Sequence, residues 1–140
     1  MNRHQDWEVR LVEYVVPLMG ADFQFGRLDC ALFASGAVQA MTGADLARGY
    51  RGYRSMATGL RKLREAGHED HIALAASLLE EVPVAMAHRG DIAVVEGDEG
   101  PALGVVQGEM IYVLRPSGGV GLVFLTDALR AFRVPFPAAE

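Results

Sequence analysis

The sequence predicts a single α+β domain over residues 1–140, with helices in the N-terminal part and an antiparallel sheet after them. In the first half, apolar residues recur every three or four positions, which is the period of an amphipathic helix. From about residue 87 the pattern changes to short apolar runs separated by glycine-containing turns, which predict strands. Because short turns join only antiparallel neighbours, helices followed by these strands indicate an α+β architecture.

Composition excludes several functional classes. The net charge of -5 and the absence of a basic stripe argue against a nucleic-acid partner. No apolar run approaches the ~20 residues of a membrane span. One cysteine forms no internal disulfide, and its separation from the four histidines argues against a zinc site, so we predict no metal and no cofactor. The polar first residues lack the features of a secretory signal and predict synthesis in a cytoplasm.

Residues 5–18 are predicted to form the first helix, ended by Pro17 and Gly20. The central helix follows an aromatic loop and runs to Met41. Asp29 is a suitable N-cap for it, since its carboxylate can accept from a free amide of the first turn. The helix is apolar on nearly every face, which predicts burial on all sides. Small residues at Ala34, Gly36 and Ala37 would let another element approach its backbone.

Cys30 falls in the first turn of this helix, and the position suggests chemistry. Free N–H groups and the partial positive charge at a helix N-terminus favour a thiolate and lower the pKa of a cysteine. Cys30 is therefore a candidate nucleophile, with Asp29 as its helix cap. The alternative is that Cys30 is core packing, which explains most free cysteines.

Residues 45–54 follow without helical or strand period and contain two tyrosines and three arginines. Tyr50, Arg51 and Tyr53 could bind a partner by stacking and charge, as conspicuous loop residues often do. The alternative is a surface loop whose tyrosines pack on the domain.

Two more helices are predicted, one from the cap Ser55 to Ala66 and one from the cap Asp70 to Pro83. His68 and His71 lie where the first of these predicted helices ends and the second begins. No third ligand has matching spacing, so a solvated turn between the helices is the expectation for both histidines.

Four strands and a last helix complete the prediction. The strands cover residues 91–95, 102–107, 110–114 and 121–125. Thr126 is a suitable cap for a short helix over residues 127–132. We expect the Cys30 helix to lie against this sheet.

An ordered set of motifs resembles the NlpC/P60 branch of the papain-like cysteine peptidases. The set comprises Phe25-Gly26, Asp29-Cys30 with Phe33, and Arg89-Gly90-Asp91 opening a strand. The resemblance covers about residues 23–114. More narrowly, the chain resembles the short NlpC/P60-like proteins of phage and prophage tail gene clusters, of the DUF6950 type. The resemblance implies a papain-like fold with Cys30 as nucleophile.

The resemblance also places the base histidine at the start of the second core strand, where this chain has Ala102. The orienting partner should match the region of Tyr112, where no histidine or amide stands. His88 precedes the first core strand, about 13 Å from the required place at ~3.3 Å per residue. A base must reach hydrogen-bond distance of the sulfur, and the sequence does not predict where the segment with His68 and His71 lies. Loss of peptidase activity is the leading expectation.

The leading interpretation is a catalytically degenerate NlpC/P60-like domain acting in structure, assembly or cell-wall binding in a phage tail, and hence virion-associated. Its expected partners are tail or tail-tip proteins, with peptidoglycan as a further candidate. One alternative is an active peptidoglycan-directed cysteine hydrolase using Cys30. Another is a plain α+β interaction domain in which Cys30 is packing.

Overall fold

Four helices and six strands make up the part of the chain that the computed structural model describes, residues 1–139. The helices are α1 (Trp7–Val15), α2 (Cys30–Thr42), α3 (Met56–Glu65) and α4 (His71–Leu78). The strands are β1 (Glu80–Val82), β2 (Ile92–Gly97), β3 (Gly100–Val106), β4 (Met110–Leu114), β5 (Val120–Phe124) and β6 (Arg130–Arg133). Short 3-10 turns occupy Val16–Leu18, Val84–Met86 and Leu125–Asp127.

The six strands form one antiparallel sheet in the order β1-β6-β2-β3-β4-β5. Helix α2 lies against β3 and β4, and α1 packs on α2. Phe33 and Val38 of α2 share one core with Ile92 and Val105 of the sheet. These contacts confirm the α+β prediction and the expected position of the Cys30 helix. None of the helices within residues 1–139 has both the length and the apolar character needed to cross a bilayer.

The sheet corrects the prediction at one edge, where β1 and β6 lie side by side. The helix expected over residues 127–132 is wrong, because the chain forms a 3-10 turn and then β6, which pairs between β1 and β2. The helix expected to reach Pro83 ends at Leu78, and β1 follows it. The residue before a proline disfavours helical dihedrals, and β6 offers residues 80–82 a ladder partner. Local propensity therefore yields to pairing at both places.

Helix α1 approaches α2 closely at Gly36. The Tyr14 ring stacks on Phe33, and its hydroxyl donates to the Phe33 carbonyl at 2.8 Å. A Cβ atom at Gly36 would overlap that hydroxyl. This contact confirms the prediction that the small residues of α2 admit another element.

Gly36→Ala is expected to lower the free energy of unfolding by about 1–3 kcal/mol, because the added methyl overpacks the contact with Tyr14. Urea denaturation measures the change. Gly20→Ala is the matched control, since a Cβ atom there meets nothing within 4 Å. Equal stability of the two variants would contradict the close approach.

Asp91 ties both ends of the chain to the sheet. Its fully buried carboxylate accepts from Arg3 Nη2 at 2.8 Å and from Arg133 Nε at 2.9 Å. The amides of His88 and Val134 donate to the same carboxylate, at 2.8 and 3.0 Å. The side chain of Arg3 is itself fully buried. The Gly-Asp motif before β2 is therefore a structural junction, away from the thiol.

Candidate active site

Cys30 is the first residue of α2, and Asp29 caps the helix as predicted. Asp29 Oδ1 accepts from the Leu32 amide at 3.0 Å, and Oδ2 accepts from the Gly26 amide at 3.1 Å. Asp29 is only 3% exposed, so the start of α2 is rigidly held. The backbone amides of Leu103, Ala31 and Cys30 itself act on the sulfur and lower the pKa of its thiol.

A histidine lies beside the sulfur. Nε2 of His71, the first residue of α4, is 3.9 Å from Sγ of Cys30. The sequence leaves open whether any histidine reaches Cys30, and His71 does so. The expectation that His71 stands in a solvated turn is wrong. The reason is the packing of α4, whose Ile72 is buried in the main core and whose axis lies against β3. That packing directs the start of α4 towards the start of α2.

The position expected for a base on the sheet is occupied by Ala102, which pairs with Val95 in β2–β3. His71 reaches the same region from another element. The backbone of Pro101, next to Ala102, acts to raise the pKa of His71, and since proline has no N–H this effect comes from its carbonyl. A neighbouring carbonyl of this kind can orient an imidazole. The dyad is thus built from α2 and α4, with β3 behind it.

Burial keeps both members of the pair uncharged at rest. Burial raises the pKa of the Cys30 thiol, and the charge of Asp29 raises it further, against the lowering effect of the three amides. The amides at the helix start lower this pKa as predicted, but removal from water outweighs them and the net pKa is raised. Burial likewise lowers the pKa of His71, against the raising effects of Asp70, Asp29 and Pro101. The proton therefore resides on the sulfur until a substrate arrives.

The lowered pKa of His71 predicts a specific acid sensitivity. The pKa of His71 is lower in the folded chain than the unfolded value of ~6.5, so protonation favours the unfolded chain. The neutral imidazole is therefore fully compatible with folding above pH ~6.5, and stability is lost as the pH falls from there through the folded pKa. We expect the wild type to lose more stability than His71→Gln between pH 7 and pH 5, measured by urea denaturation. Parallel losses in the two proteins would show that His71 is not buried as described.

A cavity of about 510 Å³ opens over the Cys30–His71 pair. Its walls are mainly apolar, with aromatic side chains at Phe23, Phe25, Tyr50 and Tyr53. Acidic residues line it at Glu96, near the end of β2, and at Asp98 and Glu99 in the turn to β3. The volume is in the range of small-molecule and peptide sites. The thiol is therefore open to a ligand, which distinguishes it from a cysteine that only packs.

The three loop residues predicted to bind a partner are placed differently from one another. Tyr50 lines the cavity. Arg51 forms an exposed ion pair with Asp45 at 2.9 Å. The partly buried Tyr53 donates its hydroxyl to Asp29 Oδ2. Two of the three thus face the thiol side of the domain, and a role in partner binding stays a prediction.

The other histidines lie elsewhere in the fold. The amide of His4 donates to Met41 at the far end of α2, and His88 packs edge-on against Phe136. The amide of His68 donates to Leu63 in the turn after α3. Among residues 1–139, no three histidine, cysteine or acidic side chains converge as a metal site requires.

Comparison with known proteins bears on this geometry. The structure resembles the crystal structure of the NlpC/p60 domain of the peptidoglycan hydrolase SagA, with a TM-score of 0.54 and 14% sequence identity. The match covers 91% of this chain and 95% of that chain, and at this identity it shows the fold. No curated protein matches the sequence. Residues 2–134 match the family described as "Domain of unknown function (DUF6950)". The chain therefore belongs to the DUF6950 family and has an NlpC/P60-like fold.

Proposed function

We propose that this chain is a cysteine hydrolase in which Cys30 is the nucleophile and His71 is the general base, acting on an amide bond of peptidoglycan. The observation that carries the proposal is the 3.9 Å separation of Sγ and Nε2 in two residues that line an open cavity. Nucleophile and base within hydrogen-bond reach are the signature of an activated thiol. The substrate class is suggested by the printed function of the similar structure, a peptidoglycan hydrolase.

The geometry supports a two-stage reaction. As the sulfur of Cys30 bonds to the substrate carbonyl carbon, the thiol proton moves to Nε2 of His71. Amides at the start of α2, including that of Ala31, can donate to the oxyanion that develops. His71 then gives its proton to the leaving amine, and the C–N bond breaks to leave a thioester. A water molecule, deprotonated by His71, hydrolyses the thioester and restores the thiol.

The test is digestion of purified peptidoglycan by the wild type and by Cys30→Ala, with newly released amino groups as the readout. We expect release by the wild type and none above background by the variant. Absence of release from every peptidoglycan tried, or equal release by the two proteins, would contradict the proposal.

A second candidate is a non-catalytic binding domain in a phage or prophage tail, with tail or tail-tip proteins or peptidoglycan as its partner. The raised pKa of Cys30 favours it, because a thiol that keeps its proton at neutral pH is a weak nucleophile. Tail assembly in the presence of Cys30→Ala separates the two candidates. A binding domain tolerates the substitution, whereas a tail hydrolase assembles but no longer digests the cell wall.

A further inference from the structure

Tyr53 is held firmly beside the thiol. Its ring lies against α3 at Gly59, where a Cβ atom would come within 2.9 Å of Tyr53 Cδ2. Its backbone lies against Gly26, where any Cβ atom would overlap the Tyr53 carbonyl. Gly26 has a φ of 77°, a conformation that glycine adopts without strain. These two contacts fix the hydroxyl on the carboxylate of Asp29.

The direction of this hydrogen bond follows from the two groups. Burial and the charge of Asp29 raise the pKa of Tyr53, so the phenol keeps its proton and donates it to the carboxylate. While it does so, the same proton cannot stabilise an oxyanion in the cavity. Tyr53 therefore acts on the chemistry only through Asp29.

Asp29 has two opposing effects on Cys30. It caps the helix that presents the thiol, yet its negative charge raises the pKa of that thiol. Three donors share this charge, namely the amides of Gly26 and Leu32 and the hydroxyl of Tyr53. The other titratable groups that line the same cavity are His71 and Asp70 on the α4 side, Glu96, Asp98 and Glu99 on the β2–β3 side, and Tyr50 and Arg115.

We propose that Tyr53 is a positioning residue for the Cys30 nucleophile: its hydroxyl holds the Asp29 carboxylate and draws its charge away from the sulfur, so that the thiolate forms more easily. The catalytic meaning of this inference rests on the proposed hydrolase function. The thiol chemistry that it describes can be measured without any substrate.

The experiment is alkylation of Cys30 by iodoacetamide as a function of pH, and the chain has no other cysteine to confuse the readout. In Tyr53→Phe we expect the midpoint of the plot of alkylation rate against pH to rise by about 0.5 to 1 pH unit. At a pH below both midpoints the rate then falls about three- to tenfold, with the thiolate rate at high pH unchanged. Tyr50→Phe changes another tyrosine that lines the cavity; it is the matched control and should keep the wild-type midpoint.

Asp29→Asn provides an independent check, since asparagine can still cap the helix but carries no charge. We expect its midpoint to fall below that of the wild type, and Tyr53→Phe to cause no further shift in the Asp29→Asn background. An unchanged midpoint in Tyr53→Phe or in Asp29→Asn would overturn the inference, as would an equal rate loss at every pH. A wild type that alkylates as expected but does not digest peptidoglycan would instead count against the hydrolase proposal alone.

Discussion

Replacing His71 by alanine is expected to lower kcat/KM for hydrolysis about 10²–10⁴-fold, the usual contribution of a positioned general base. The variant retains the thiol, the α2 amides and the cavity, so it removes proton transfer and leaves the binding site in place. The resting thiol is protonated, because burial raises its pKa. Without an acceptor beside it, attack depends on the small thiolate fraction, and the leaving amine receives no proton.

Hydrolysis of p-nitrophenyl acetate and of peptidoglycan by purified variants measures this loss. His68→Ala is the matched control, since His68 lies three residues earlier in the turn after α3 and should retain wild-type activity. Added imidazole should restore part of the activity to His71→Ala, because the cavity beside the sulfur is open. Similar activities for the two histidine variants would show that His71 is not the base.

Asp91→Ala is expected to lower the free energy of unfolding by about 3–5 kcal/mol, the range for breaking a buried ion pair by removing one partner. The substitution leaves the buried guanidinium of Arg3 without its carboxylate. It also removes the acceptor for the amides of His88 and Val134. Asp91 lies just before β2 and holds both Arg3 of the N-terminal segment and the end of β6. Removing its carboxylate should therefore lower the stability of the whole fold.

Urea denaturation at pH 7 measures that loss, with Glu81→Ala as the control. Glu81 pairs with Arg130 at 2.7 Å, but both side chains are at least 40% exposed. An exposed pair of this kind contributes about 0–1 kcal/mol. Comparable destabilisation by the two substitutions would mean that the Asp91 junction contributes no more than a surface ion pair.

The elements that the sequence predicts well are those with local signals. The Asp29 cap and the start of α2 at Cys30 follow from one side chain and a run of apolar residues. Ser55 and Asp70 likewise cap α3 and α4 as predicted, each accepting from an amide three residues on. Strands β2 to β5 follow from apolar runs between glycine turns. Each of these signals depends only on residues that are close in the sequence, so the sequence is enough to predict the elements that they specify.

The parts that could not be predicted depend on contacts between distant segments. The β6 strand forms because β1 and β2 lie on either side of it and pair with it. Its first residue, Arg130, is 50 positions after the first residue of β1, Glu80, and 38 after the first residue of β2, Ile92. The dyad joins residues 41 positions apart, whereas the family pattern places the base at the position of Ala102. The sequence does contain one signal for the role of His71. Asp70 caps a helix of apolar residues, and a helix of this kind packs on the core. Its first residue, His71, is thereby brought inward.

The resting electrostatics of the site also needed the fold. From the sequence, a helix N-terminus predicts a lowered cysteine pKa. In the structure the surrounding walls remove water from the thiol, and the net effect is a raised pKa. How deeply a side chain is buried depends on every element packed around it, here α4, β3 and the loop that contains Tyr53.

Intact-mass analysis after rapid mixing with p-nitrophenyl acetate tests most directly whether Cys30 and His71 act as nucleophile and base. We expect the wild type to gain one acetyl group, located on Cys30 by peptide mapping, together with a burst of p-nitrophenol. His71→Ala should form the same adduct at least about 10²-fold more slowly. No adduct on Cys30 in the wild type, or equal rates of acetylation in the two proteins, would contradict the account.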